Sequence, residues 1–245
     1  MPAADEEGKA RTEQFQNKLT PVRIARAFYR SDVRIYNADD LVPLSREWQR
    51  ASLAERIRLY RRLQPVAAAA RDRAFADELS KPARQGEPVH VLAGGQGTGK
   101  STLAAALKGI VLDTTLAGPE RAVAVLEAIR RSGRDAVVHY VWRPIEEAME
   151  GNLRRALNTH RVVRAREMAR AHYGARESVE ELERRYGDDP RLALVFWDRG
   201  MREMAPAEWA GAEKPSIDTL VRRALSTINA IEGIPDEVRR AAREE

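Results

Sequence analysis

The chain has 245 residues, enough for one large domain or one domain with a sizeable appendage. Charged residues reach 32% and aromatics 6%, so much of the surface is expected to be helical and solvated; a net charge of +5 and a pI near 9.7 suit a phosphorylated small ligand and are too weak an excess to argue for nucleic acid. The absence of cysteine excludes disulfides, thiolate metal sites and a cysteine nucleophile, no apolar run approaches the ~20 residues of a membrane span, and the acidic start Met1-Pro2-Ala3-Ala4-Asp5-Glu6-Glu7 is no secretory signal, which makes the cytoplasm the expected location.

Residues 1–86 read as a helical N-terminal region without recognisable chemistry. Thr20-Pro21 is a helix start, leading into Val22, Ile24, Ala25, Phe28 and Tyr29. Tyr36 to Pro43 reads as a loop because of Asn37, Asp39, Asp40 and Pro43. Ser52-Leu53-Ala54-Glu55 is a capping box ahead of Ile57, Tyr60 and Leu63, and Pro65 opens an alanine-rich helix ending before Lys81-Pro82. This region is expected to cover a nucleotide domain, with a regulatory or partner-binding role as the alternative.

The P-loop core is expected over residues 87–200. Val89-His90-Val91-Leu92-Ala93 is short, apolar and β-branched, as a buried parallel strand should be. It runs into Gly94-Gly95-Gln96-Gly97-Thr98-Gly99-Lys100-Ser101, which fits G-x-x-x-x-G-K-[ST] and precedes the helix formers Thr102 to Leu107. In that context the glycines turn backbone N–H groups inward around phosphate oxygens, and the helix N-terminus adds its positive end. Gly94 through Thr102 are therefore the candidate ATP-binding residues. Lys100 is placed to reach the β- and γ-phosphates, and the Ser101 hydroxyl to ligate Mg²⁺. Lysine is scarce in this arginine-rich chain, with Lys9, Lys18, Lys81, Lys100, Lys108 and Lys214 as the full set, so a lysine at this one position carries weight.

Gly109 to Asp113 reads as a second buried strand ending in a carboxylate, and Pro119 opens a helix stopped by Ser132-Gly133. Ala136 to Trp142 is a third strand. Helices follow from Pro144 to about Asn158, from Val162 to Tyr173, and from a second capping box at Ser178-Val179-Glu180-Glu181. Leu192 to Asp198 reads as the last strand, and residues 201–245 as a helical C-terminal extension with helices from Ser216 and Pro235. Strands alternating with helices imply an α/β fold of the P-loop NTPase type, a doubly wound parallel sheet with its ligand at the carboxyl edge. Two strand-end aspartates, Asp113 and Asp198, compete for the metal or base role, and either could instead cap the turn that follows it. Arg154, Arg155, Arg161 and Arg164 flank a helix–helix turn from which arginines could close over a γ-phosphate, though any one of them alone could be surface charge.

From the P-loop through Asp198 the sequence resembles the zeta toxin family of P-loop kinases, in a compact form. The resemblance is carried by Gly94 to Ser101, Ile110-Val111-Leu112-Asp113-Thr114-Thr115-Leu116, His139 to Pro144, Leu153-Arg154-Arg155-Ala156, Arg161-Val162-Val163 with His172, and Asp188-Asp189-Pro190. It implies ATP- and Mg²⁺-dependent phosphorylation of a hydroxyl on a small nucleotide-linked metabolite, UDP-N-acetylglucosamine in the best-known group. It also implies a toxin with a possible protein antitoxin, and puts lid arginines that bind the transferred phosphate on Arg155 and Arg161. Asp113, beside the P-loop, becomes the favoured metal carboxylate with Ser101. Lys100, Asp113, Arg155 and Arg161 are then the candidate catalytic residues. One departure stands out. Longer members carry a further strand after the P-loop helix, bearing the aspartate proposed as base, and here only a few residues separate Leu107 from Asp113. Asp113 could then serve as base, the acceptor could differ, or transfer could be impaired. A P-loop ATPase and a non-catalytic ATP-binding module with an active helical region are the alternatives to a kinase.

Overall fold

The computed structural model describes residues 34–83, 87–159 and 161–244; the helix start at Thr20-Pro21 lies outside them. Strands β1 (Ile35–Asn37), β2 (Val89–Ala93), β3 (Ile110–Asp113), β4 (Ala136–Val141), β5 (Leu192–Trp197) and β6 (Glu203–Met204) form one sheet in the order β1-β3-β2-β4-β5-β6. Every pairing is parallel except the last, where β6 turns back antiparallel on β5. The helices are α1 (Arg46–Arg50), α2 (Leu53–Leu79), α3 (Lys100–Ala106), α4 (Pro119–Arg131), α5 (Ile145–Thr159), α6 (Ala165–Tyr186), α7 (Pro206–Ala210), α8 (Ile217–Ala230) and α9 (Asp236–Arg243). This is a six-stranded, mostly parallel α/β architecture of the P-loop NTPase type. Among the described residues no helix is long and apolar enough to cross a membrane.

The alternation of side chains along each strand explains the layers. Val89, Val91 and Ala93 of β2 point with Ile110, Leu112, Val138 and Phe196 toward one face. That face is covered by Ala67, Ala70 and Phe75 of α2, Leu126 and Ile129 of α4, and Val179 and Leu182 of α6. Alanines on α2 let its backbone approach the sheet closely. Leu92, Val111 and Val141 point the other way and meet Leu103 and Ala104 of α3. A further apolar cluster joins Met149 and Leu153 of α5 to Met168 of α6, Ile228 of α8 and Val238 of α9, so the C-terminal helices are packed against the helices that follow β4.

The four strands read from the sequence form β2, β3, β4 and β5. Four local expectations fail, each for a physical reason. The stretch read as a loop from Tyr36 begins as β1, whose three residues pair Ile35, Tyr36 and Asn37 with Val111, Leu112 and Asp113. A strand this short has no readable period, and its stability comes from a neighbour distant in sequence. Pro65 lies inside the 27-residue α2 rather than opening a helix. Tyr60 and Leu63 before it and Ala67 and Ala70 after it pack on the same core, and that burial offsets the one backbone bond a mid-helix proline removes. The capping box at Ser52 does form, with Glu55 accepting from the Ser52 backbone N–H at 2.8 Å. The one at Ser178 does not start a helix. Ser178 is fully buried in the middle of α6, donating to Gly174 O at 2.8 Å and accepting from Gly118 N at 2.9 Å. Finally, Leu192–Trp197 is not the last strand, because β6 follows it across a turn that Asp198 organises.

Candidate active site

The sheet order reverses at β2, with β3 on one side and β4 on the other, which opens a crevice at the carboxyl edge. The P-loop leaves β2 at that point. Gly99, the residue before α3, has φ 102°, a conformation that carries little penalty only for glycine. Gly95 is required for space: a Cβ there would lie 1.7 Å from Cδ2 of His172. His172 reaches in from α6 and contacts Gln96 O through Nε2 at 3.2 Å, and burial holds its pKa down at about 4, so the ring is neutral. Thr98 Oγ1 closes the loop by donating to Gly95 O at 3.0 Å.

Lys100 is buried, 8% exposed, and its ammonium donates to Gly94 O at 2.8 Å and also to Gly95 O. Burial lowers its pKa to about 8 against the opposing pull of Asp113. The lysine is thus folded onto the loop's own carbonyls. Ser101, in the first turn of α3, donates from Oγ to Asp113 Oδ2 at 2.9 Å. The same carboxylate oxygen accepts from Asn37 Nδ2 at 3.1 Å, and Arg71 Nη1 of α2 holds the Asp113 carbonyl at 3.1 Å. Burial raises the pKa of Asp113, with Lys100 and the Ser101 hydroxyl pulling it back.

Helix α5 carries Arg155 into the crevice from above. Its Nε is buried without a hydrogen-bond partner, and burial together with neighbouring Arg161 lowers its pKa. Arg161 lies in the extended link between α5 and α6, not within a helix. That link is pinned by Asn152, fully buried, which donates to Val163 O at 3.0 Å and accepts from Val163 N at 3.3 Å. Arg161 Nη2 pairs with Asp39 Oδ2 at 2.9 Å, and its guanidinium lies over the Tyr60 ring at 5.6 Å. Tyr60 in turn donates to Asp39 Oδ1 at 2.7 Å. A cavity of about 790 Å³ is lined by Lys100, Ser101, Thr102, Asp113 and Arg155 on one side and by Asp39, Tyr60, Gln64, Ala68 and Ala69 on the other.

The sequence-predicted residues therefore converge unevenly. The P-loop, Asp113 and Arg155 share one cavity, and Arg161 adjoins it through Asp39. Arg154 instead makes an exposed pair with Glu150, and Asp198 caps its own turn by accepting from Gly200 N at 2.7 Å and Arg202 N at 3.0 Å. The N-terminal region, read as lacking chemistry, supplies Asn37, Asp39, Tyr60 and Arg71 to the site. The available signal was the run Arg34-Ile35-Tyr36-Asn37-Ala38-Asp39, a short β-prone stretch ending in polar acceptors, the same pattern as Ile110 to Asp113.

The donor set fits Mg²⁺. A hydroxyl and a carboxylate are hard oxygen ligands, and among the described residues no group of three or more His, Cys, Asp or Glu side chains is placed to hold a metal. A Mg²⁺ ion at Ser101 and Asp113 would complete its shell with phosphate and water oxygens, as this ion does readily. The glycine loop, the N-terminus of α3 and the Lys100 ammonium are N–H donors gathered at one place, which fits the acceptor oxygens of a polyphosphate.

No curated protein matches the chain. Residues 108–203, from just after α3 to the start of β6, match the family model described as Zeta toxin. The P-loop sequence lies immediately ahead of the matched segment and the same parallel sheet runs through both, so over residues 108–203 the chain is similar to the zeta toxin family, a likeness that suggests a P-loop kinase or ATPase kind of function.

Proposed function

We propose that this protein is an ATP- and Mg²⁺-dependent kinase that moves the γ-phosphoryl group to a hydroxyl of a small metabolite, a nucleotide-linked sugar such as UDP-N-acetylglucosamine. The observation that supports transfer over simple hydrolysis is the extent of the cavity. It continues past the P-loop to the wall formed by Gln64, Ala68 and Ala69 of α2, leaving room for an acceptor opposite the nucleotide. In this reading residues 87–200 form the kinase core, and the regions on either side of it cover the sheet and shape the acceptor side.

When bound, ATP supplies the phosphoryl group, and Mg²⁺ supplies the positive charge that offsets its oxygens. Glycines 94, 95, 97 and 99 and the N-terminus of α3 hold the phosphate chain, and Lys100 turns from Gly94 O and Gly95 O toward it. Ser101 and Asp113 hold the metal. Arg155 neutralises charge on the transferring group, from a position in the cavity lining where its buried Nε makes no hydrogen bond. Phosphoryl transfer depends mostly on such positioning and neutralisation, which is why four cationic or oxygen groups around one cavity are a sufficient set.

Incubation with γ-labelled ATP and either UDP-N-acetylglucosamine or a bacterial metabolite extract tests the reading. An ATP-dependent mass gain of about 80 Da on an acceptor, as addition of a phosphoryl group requires, supports it; labelled free phosphate alone points to an ATPase. A toxin role and a protein antitoxin belong to the same proposal. Expression in a bacterial host should slow growth, Lys100→Ala should relieve it at equal protein level, and an antitoxin would be recovered as a stoichiometric partner of the wild-type chain.

A further inference from the structure

We infer that Asp39 is the carboxylate that receives the acceptor's hydroxyl proton, and that β1 delivers it to the site from ahead of the P-loop in sequence. This rests on the kinase reading above. Among the described residues three carboxylates line the cavity: Asp39, Asp72 and Asp113. Asp113 is committed to Ser101 and Asn37 on the metal side. Asp72 is held by Arg71 at 2.6 Å and by Arg121 at 2.9 Å, at the outer end of the α2 wall. Asp39 remains, between the P-loop side and the acceptor wall.

The placement follows from the sheet. Because β1 is parallel to β3 with Asn37 opposite Asp113, the residues that follow Asn37 emerge at the carboxyl edge beside the metal carboxylate. Asn37 then fixes the turn, its Oδ1 accepting from the Asp39 backbone N–H at 3.0 Å. Among the described residues each Asp39 oxygen has one partner, Tyr60 at 2.7 Å on Oδ1 and Arg161 at 2.9 Å on Oδ2. An ionised carboxylate accepts about four hydrogen bonds, so both oxygens keep a lone pair for an incoming hydroxyl. Arg161 then links the carboxylate to the charge of the phosphate side through a single guanidinium. The strand missing after α3 is thus offset by one that precedes β2, a solution that sequence order conceals.

The step balances without a further reactant. The acceptor oxygen forms a bond to the γ-phosphorus as the bond from that phosphorus to the β–γ bridging oxygen breaks. ADP leaves with that electron pair, the acceptor proton passes to Asp39, and Asp39 releases it to solvent after product departs.

The test uses the full chain as wild type, Asp39→Asn, Asp39→Glu and Arg161→Ala. Transfer from γ-labelled ATP into a metabolite extract is measured against pH, beside affinity for a fluorescent ATP analogue and thermal stability. Asp39→Asn should lower transfer by about 10²-fold or more and remove the acid limb of the rate profile, with nucleotide affinity changed by less than about twofold. Asp39→Glu, which keeps the charge and moves the oxygen, should retain the acid limb at reduced rate, and it carries the test if the asparagine variant fails to fold. Transfer within about tenfold of wild type in Asp39→Asn, or a loss matched by an equal loss of nucleotide affinity, overturns the role of Asp39 alone. Wild type that binds ATP and labels no acceptor overturns the kinase reading, and the acceptor role falls with it.

Discussion

The Ser101 hydroxyl donates to Asp113 Oδ2 at 2.9 Å, joining the first turn of α3 to the carboxyl end of β3. In the proposed reading this contact puts Asp113 on the metal side of the site and leaves the acceptor side to another carboxylate. Asp113→Asn keeps the shape and a partner for Ser101 while removing a charge from the metal ligands. The Mg²⁺ concentration giving half-maximal rate should rise several-fold at saturating ATP. An unchanged Mg²⁺ dependence with a lowered rate would return Asp113 to the base role.

Arg161 pairs with Asp39 and lies over Tyr60, beside the cavity rather than in its lining, so in the proposed reading it adds little to ground-state binding of ATP. Arg161→Ala should lower kcat by about 10²-fold, the scale of a lost transition-state charge contact, with KM for ATP nearly constant. Steady-state kinetics at saturating acceptor decide this. A raised KM with kcat intact would leave the lid function to Arg155 alone.

Gly95 and His172 are coupled by space. Gly95→Ala puts a methyl group 1.7 Å from His172 Cδ2 in a buried site, so either the loop or the ring must move. Nucleotide affinity should fall by about tenfold or more, and the loss should be smaller when Gly95→Ala is made in a His172→Ala background. Purely additive effects in binding measurements would show that the clash is relieved elsewhere.

Acid should weaken the fold through the histidines of the sheet. Trp197 Nε1 can only donate, so His139 Nδ1 accepts its proton at 3.1 Å. His139 Nε2–H then donates to His90 Nδ1 at 2.9 Å, and His90 Nε2–H donates to Lys108 O at 2.9 Å, with both rings neutral. Burial lowers the pKa of both, that of His139 to about 4, below the value of about 6.5 in the unfolded chain. The unfolded state therefore binds more protons between these values, and stability falls as pH drops from about 6.5 toward 4, by about 3 kcal/mol for a shift of this size. Tm measured across that range should fall steeply for wild type and less for His139→Leu. Equal slopes would mean that carboxylates elsewhere dominate the acid response.

The parts legible in the sequence are those that are local. Gly94 to Ser101 is a contiguous backbone cradle, and the apolar strands β2 to β5 declare themselves within four to six residues each. Arg155 was found because it lies on a helix next to the turn that the resemblance highlights. Asp39 was not, because the local signal ahead of it, the short β-prone run Arg34 to Asn37, does not separate a strand end from a loop until β3 is placed beside it. Pro65 and Ser178 misled for a related reason: their local preference is to begin a helix, and packing on both sides carries the helix through them.

The central claim is that one cavity brings a P-loop nucleotide and a hydroxyl acceptor together. Its most direct test is the stoichiometry of ADP and phosphorylated acceptor formed from γ-labelled ATP by wild type and by Lys100→Met. The account predicts one ADP per phosphorylated molecule for wild type, close to no free phosphate, and loss of both products in the lysine variant while the chain stays folded. ADP formed with free phosphate and no labelled acceptor, or full transfer by Lys100→Met, would contradict it.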